Sequence, residues 1–263
     1  MELIAVPPTP AQATAIFGDR LPLAERFVAI LADTGIAHGL IGPREAPRLW
    51  DRHVLNCAVA HRAIPPSLAG ARQKVADVGS GAGLPGLALA IARPDLEIHL
   101  IEPLTRRTGW LSGTIATLGI YNVVVHTARA ESMWDRLTVP YVTARAVSGI
   151  VQLAGWTLPL LAPGGSVLAL KGSRAQSELS DNQAALTQMG VVDASVETFG
   201  EELAEPTTIL RLTIGATVDR RRFAKHSSSS AGSARRRIDR PGGSRASSRS
   251  DRSGRGIRGG RDE

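Results

Sequence analysis

Asp77, Gly79, Gly81, Gly83 and Glu102 are the residues of this 263-residue chain whose types and spacing point most directly to chemistry. The first four stand in Lys74-Val75-Ala76-Asp77-Val78-Gly79-Ser80-Gly81-Ala82-Gly83-Leu84-Pro85-Gly86, and Glu102 follows Gly81 by 21 positions. The glycines let the backbone turn tightly and approach a ligand with no Cβ in the way. The apolar run before them reads as a strand. The run after them reads as a helix whose free N–H groups face whatever lies over the turn. That is the build of a nucleotide-type cofactor site at the carboxyl end of a first parallel strand. Gly81 to Gly86 also fits G-x-G-x-x-G, the dinucleotide pattern. Glu102 could accept ribose hydroxyls from NAD or from S-adenosylmethionine, since both carry an adenosine. Asp77 separates the two, because a carboxylate at the strand end suits a sulfonium and repels a pyrophosphate. The reading therefore favours S-adenosylmethionine.

The elements that must position these residues fall into three stretches. Residues 1–72 read as a helical extension, with a helix at Leu21–Ala32 and a second from about Arg48 to Ile64, stopped by Pro65-Pro66. Residues 73–218 alternate strands and helices. The strands are Val75–Val78, Glu97–Ile101, Val123–His126, Tyr141–Ala146 and Ser166–Leu170. The helices are Leu84–Ala92, Arg107–Leu118, Val151–Leu161 (ended by Pro163-Gly164-Gly165) and Gln176–Met189. Val191–Thr198 and Thr207–Thr213 have no helix between them, which predicts an antiparallel pair at one edge of a mostly parallel sheet. That edge suits a methyltransferase sheet better than a pyrophosphate-binding one. The whole reads as α/β, a Rossmann-like, mostly parallel seven-stranded sheet. Residues 219–263, rich in Arg, Ser and Gly, have almost nothing to bury and read as a disordered basic tail.

Further residues carry candidate chemistry. Arg145 stands in an otherwise apolar strand, where an arginine is costly unless it is paired or faces a site. Lys171, one of three lysines, ends the fifth strand and either faces a phosphate or caps the strand. Arg52, His53 and Asn56 share a helix face by their spacing. His53, Cys57 and His61 are spaced by four, but three ligands on one helix rarely close a coordination shell, and no metal is expected.

Charge and cysteine usage narrow the class. From Arg220 to Glu263 there are 14 basic and four acidic residues, a net of +10 against +7 for the whole chain, which leaves residues 1–219 at −3. Were the folded part to bind a polyanion, its affinity would have to come from a local patch, for which Arg48, Arg52, Arg106, Arg107, Arg145, Lys171 and Arg174 are candidates. The tail would add salt-sensitive attraction to phosphate. A single cysteine excludes a disulfide framework and fits a reducing compartment. The start of the chain shows no signal-peptide pattern, and no apolar run is long enough to span a bilayer, so a cytoplasmic protein with no membrane partner is expected.

The segments Asp77 to Gly86, Ile101-Glu102-Pro103, Ala130-Glu131, Thr143-Ala144-Arg145-Ala146, Leu170-Lys171-Gly172 and, upstream, Leu49-Trp50-Asp51-Arg52-His53-Val54-Leu55-Asn56 together resemble the bacterial RsmG (GidB) family. The resemblance covers roughly Leu21 to Ile214 and leaves out the tail. It implies a class I S-adenosylmethionine-dependent methyltransferase fold and methyl transfer to N7 of guanine 527 in 16S ribosomal RNA. It further implies cofactor contacts at Asp77, Gly79, Gly81, Gly83, Leu84, Glu102, Ala130, Glu131 and Arg145. Catalytic positions would be Arg145 and Lys171, and RNA contacts Arg52, His53, Asn56, Arg106 and Arg107. The partner would be 16S ribosomal RNA or the small ribosomal subunit, met by a monomer. A methyltransferase acting on another RNA, a protein or a small molecule, and a non-enzymatic RNA-binding module on the same fold, stay open as alternatives.

Overall fold

Strands in this chain are short runs of Val, Ile and Leu, and most are buried on both faces. β1 (Gln73–Val78), β2 (Leu96–Glu102), β3 (Val123–Thr127), β4 (Val139–Arg145), β5 (Leu161–Lys171), β6 (Val191–Phe199) and β7 (Thr207–Ile214) form one sheet in the order β3-β2-β1-β4-β5-β7-β6. The first five strands run parallel, and β7 is antiparallel to both β5 and β6. This is the class I methyltransferase arrangement. The predicted antiparallel pair, β6 and β7, forms one edge of the sheet, with β7 lying between β5 and β6. The computed structural model describes residues 6–66, 71–145, 148–216 and 223, all within one compact unit, Met1–Ser227.

Helices cover both faces. α1 (Ala11–Phe17), α2 (Leu21–Ile30), a helical run over residues 49–63 termed α3, α4 (Gly86–Ala92) and α5 (Thr105–Leu118) lie on one side. Phe27, Leu31, Leu49 and Leu55 from the N-terminal helices share one apolar cluster with Leu87, Leu89 and Ile91 of α4 and Ile98 and Leu100 of β2. The N-terminal helices thus complete the core of the sheet domain. α6 (Ile150–Thr157) and α7 (Ala175–Gln188) cover the other side, against Ala76, Val78, Val142 and Ala144.

Three expectations need correction. α3 is not a regular helix: Leu49–Leu55 winds as π-helix, Asn56–Ala58 as α-helix and Val59–Ala63 as 3-10 helix. Its carbonyls at Arg52 and Asn56 accept hydrogen bonds from outside, from Arg145 Nη2 at 2.9 Å and Thr207 Oγ1 at 2.5 Å, which compete with the intrahelical ladder. α6 stops at Thr157, and Leu158–Leu160 tightens to a 3-10 turn, because Pro159 has no N–H to continue the α-helix. Pro163-Gly164-Gly165 therefore lies inside β5, where pairing slips from Val139↔Leu161 to Tyr141↔Ser166. A Cβ at Gly165 would come 2.7 Å from the Pro140 carbonyl oxygen, so this bulge admits only glycine. Phe223, beyond the predicted tail boundary at 219, is buried and packs edge-on to Trp134 with ring centroids 6.5 Å apart. The rest of the predicted tail, Asp219–Arg222 and 224–263, and Ala146 of the predicted fourth strand lie outside the described residues. Among the described residues, no helix is long and apolar enough to cross a membrane.

Candidate active site

The loop leaving β1 is built by hydrogen bonds within itself and to the end of β2. Gly79 N–H donates to the Ile101 carbonyl at 2.9 Å, and Gly83 N–H donates to the Ser80 carbonyl at 2.7 Å. Gly79, Gly81 and Gly83 have φ of 75, 52 and 78°, left-handed values that glycine adopts without strain. A Cβ at Gly83 would sit 2.5 Å from Leu87 Cδ1, and one at Gly86 would overlap Leu100 and come 2.7 Å from Asp77 Oδ2. A Cβ at Gly81 would meet nothing but the Gly79 carbonyl oxygen, at 3.8 Å, so that stretch of backbone lies open to a ligand. Leu84 and Ala130 are buried, and Ala130 and Glu131 open the 3-10 turn Ala130–Met133 that follows β3.

Asp77 is 1% exposed and holds this turn from beneath. Its Oδ2 accepts from Gly86 N–H at 3.1 Å, and its Oδ1 accepts from Thr143 Oγ1 on β4 at 3.2 Å. Burial pushes its carboxyl up to about 6, against the lowering effect of those hydrogen bonds. Glu102, 2% exposed, accepts from Gly81 N–H with Oε2 and from Leu104 N–H with Oε1, each at 3.1 Å. Arg107 Nη1 stands 3.5 Å from Glu102 Oε2, while its buried Nε has no partner among the described residues. Open glycine backbone, two carboxylates at adjacent strand ends and an unpartnered N–H beside them fit the donor set an adenosine-bearing cation requires.

A cleft of about 620 Å³ opens at the carboxyl ends of β4 and β5. Arg48, Arg52, Arg145 and Lys171 line it together with Asn56 and Glu205. The sheet register puts this cleft beside the glycine loop. Asp77 pairs with Thr143, so Gly79 and Arg145 each follow by two residues on neighbouring strands. Arg145 Nη1 donates to Cys57 Sγ at 3.1 Å, and Nη2 lies 3.2 Å from His53 Nδ1 as well as donating to the Arg52 carbonyl. Lys171 Nζ donates to the Ser148 carbonyl at 2.9 Å and to Glu178 Oε1 at 3.0 Å. The same Glu178 oxygen accepts from Ile150 N–H at 2.7 Å, tying the starts of α6 and α7 together.

The structure groups the sequence-derived RNA residues differently from their spacing. Arg52 and Asn56 line the cleft and His53 does not. His53 Nε2 instead lies 2.8 Å from Glu45 Oε2. The Asn56 side-chain amide donates to the Glu205 carbonyl at 3.3 Å, and the Arg48 guanidinium pairs with the Glu205 carboxylate. Arg106 is exposed and Arg107 half-buried on the first turn of α5, away from the cleft lining. Arg174 lines a second concavity of about 580 Å³, joined to the first through Lys171, Gly172 and Ser173. Glu45, Glu178 and Glu205 escape sequence reasoning, and Thr143 is visible there only as part of the segment Thr143-Ala144-Arg145-Ala146. Glu45 and Glu178 each stand in the first turn of a helix, where an acid is a local signal.

Comparison with known proteins matches residues 20–207 to the family GidB, described as rRNA small subunit methyltransferase G. The chain is 54% identical over 203 residues to a "Ribosomal RNA small subunit methyltransferase G" of Arthrobacter sp., covering 77% of this chain and 92% of that one. It is 53% identical over 203 residues to the protein of that name in Pseudarthrobacter chlorophenolicus, with the same coverage. To the one in Streptomyces avermitilis it is 46% identical over 225 residues, 85% of this chain and 92% of the relative. With the family pattern spread over both the glycine loop and the helix that lines the cleft, the chain belongs to the GidB family of methyltransferases.

Proposed function

We propose that this protein moves a methyl group from S-adenosylmethionine to N7 of guanine 527 in 16S ribosomal RNA. The relatives' names support a small-subunit ribosomal RNA substrate, and the family resemblance supports the base and atom. The observation that carries the reading is adjacency: a cation-lined cleft opens beside the glycine loop, at the level where β1 and β4 end.

The cofactor supplies a methyl group already activated on its sulfonium. Gly79, Gly81, Gly83 and Leu84 hold it, Glu102 meets the ribose, and Ala130 and Glu131 meet the adenine. Asp77, from under the loop, adds negative charge near the sulfonium. Guanine N7 carries a free lone pair and no proton, so no general base is needed. What remains is to hold the base in line with the methyl group, and alignment of this kind is worth an effective molarity of about 10⁵ M or more. Arg145 stands where it can orient the base, and Lys171 sits 26 positions further along the chain at the end of the next strand. Arg48 and Arg52 hold phosphate, which positions RNA without reading sequence. The target base must leave its stack to enter the cleft. The cytoplasm, where small subunits are assembled, is the expected place, and a monomer is the expected working unit.

The test is methyl transfer from labelled S-adenosylmethionine to purified small subunits and to free 16S RNA, with the modified base mapped. Label at N7 of guanine 527 is expected; label on another base, on protein or on a small molecule sinks the reading. Removing residues 220–263 strips a net charge of +10. RNA binding should weaken and its salt dependence flatten, with cofactor affinity unchanged. Equal salt slopes for the two forms would contradict this.

A further inference from the structure

Arg145 is held in place by a chain of side chains that begins on a segment outside the family motifs. A guanidinium only donates hydrogen bonds. His53 Nδ1, 3.2 Å from Arg145 Nη2, must therefore present its lone pair. The ring proton then sits on Nε2, which donates to Glu45 Oε2 at 2.8 Å. Arg52 Nε lies 3.6 Å from the same Glu45 oxygen. We propose that Glu45 is a positioning residue for methyl transfer: it fixes the ring proton of neutral His53 on Nε2, and the lone pair this leaves on Nδ1 in turn holds the guanidinium of Arg145 at the cleft.

The groups facing the imidazole come from three elements. Glu45 stands on the turn Pro43–Arg48, Arg52 on α3 and Arg145 on β4. Burial, and then the charge of Arg145, hold His53 below its ordinary value against the raising effect of the Glu45 carboxylate, while the hydrogen bond from His53 holds Glu45 below the usual carboxylate range. Both shifts favour the same pair of protonation states, an ionised Glu45 and a neutral His53. With Nη2 engaged by the Arg52 carbonyl and His53, and Nη1 by Cys57, Arg145 keeps its Nε–H and one Nη1–H without partners among the described residues. Those two are left for the acceptor base. Adding a proton at His53 Nδ1 would place two cations face to face and displace the guanidinium.

This inference rests on the proposed RNA methyl transfer, and its test has a readout of its own. In the full-length protein, ring ¹⁵N chemical shifts of His53 should show a protonated Nε2 and an unprotonated Nδ1 at neutral pH. A proton on Nδ1 overturns the proposal, whatever the substrate proves to be. Glu45→Ala should lower kcat for small-subunit methylation about tenfold. It should leave S-adenosylmethionine affinity unchanged and move the acid limb of the pH profile. Glu45→Gln, whose amide oxygen still accepts from Nε2–H, should restore most of the rate. Wild-type kcat and pH profile in Glu45→Ala would overturn the proposal, as would failure of Glu45→Gln to recover while folded. Absence of methylation by the wild-type protein, with the expected His53 proton position, would count against the proposed substrate and leave the tautomer result standing.

Discussion

The glycine loop and the junction of Arg145 with α3 lie side by side at one end of the sheet, yet they are built by opposite means. Most of the loop is held by contacts within nine residues: Ser80 to Asp77, Gly83 to Ser80 and Gly86 to Asp77. The junction is held by contacts 88 to 93 residues apart, from Arg145 to Cys57, His53 and Arg52. A short, glycine-rich segment can specify its own shape, because each bond closes a small loop at little entropic cost. A guanidinium at a strand end cannot. It depends on where the packing of α3 puts a carbonyl, a thiol and an imidazole.

That contrast predicts different responses to substitution. In the loop, Gly86→Ala puts a methyl group into Leu100 and Asp77. Thermal unfolding should show a loss of about 3 kcal/mol or more, together with loss of cofactor binding. Unchanged stability would mean that the floor of the loop can give way.

Asp77→Asn tests the same floor through pH. A carboxyl raised from 3.8 to about 6 in the folded state makes the wild-type protein bind more protons folded than unfolded between those values. Its stabilising contribution is complete below pH 3.8 and is lost as pH rises through about 6. The loss amounts to about 3 kcal/mol. Urea unfolding from pH 4 to 7 should show wild type losing ground to Asp77→Asn by that amount. Over the same window, S-adenosylmethionine affinity should rise in wild type and stay flat in the variant. Parallel stability curves would show that Asp77 does not titrate there.

At the junction, Arg145→Lys keeps the charge but removes the fork that reaches three partners at once. Methylation should fall about 100-fold while unfolding temperature changes little. A rate within a few-fold of wild type would show that charge alone suffices. The smallest effect is expected on the cleft rim, where Arg48 and Glu205 are 44% and 40% exposed. Glu205→Gln should change stability by less than about 1 kcal/mol. It should strengthen RNA binding and steepen its salt dependence, since Arg48 is freed for phosphate. Weaker RNA binding would make Glu205 part of the RNA contact rather than a competitor for Arg48.

How much was legible in the chain follows the same division. Hydrophobic runs, glycine punctuation and prolines placed every strand and most helices, since these depend on local periodicity and backbone freedom. They missed the β5 bulge and the early end of α6, where Pro159 and the slipped pairing with β4 override the pattern. They also missed the winding of α3, which turns on hydrogen bonds from Arg145 and Thr207.

By itself the sequence determined a glycine-rich strand-to-helix loop, the acids at the ends of β1 and β2, and the presence of an arginine too costly to bury unpaired. Only the tertiary structure decided what those groups face. Asp77 faces Gly86 and Thr143, Lys171 faces Glu178, and His53 turns from the cleft toward Glu45. The physical reason is range. Turn geometry is set by neighbours along the chain, whereas the partner of a long polar side chain is set by which helix packs against which strand, and no local pattern records that.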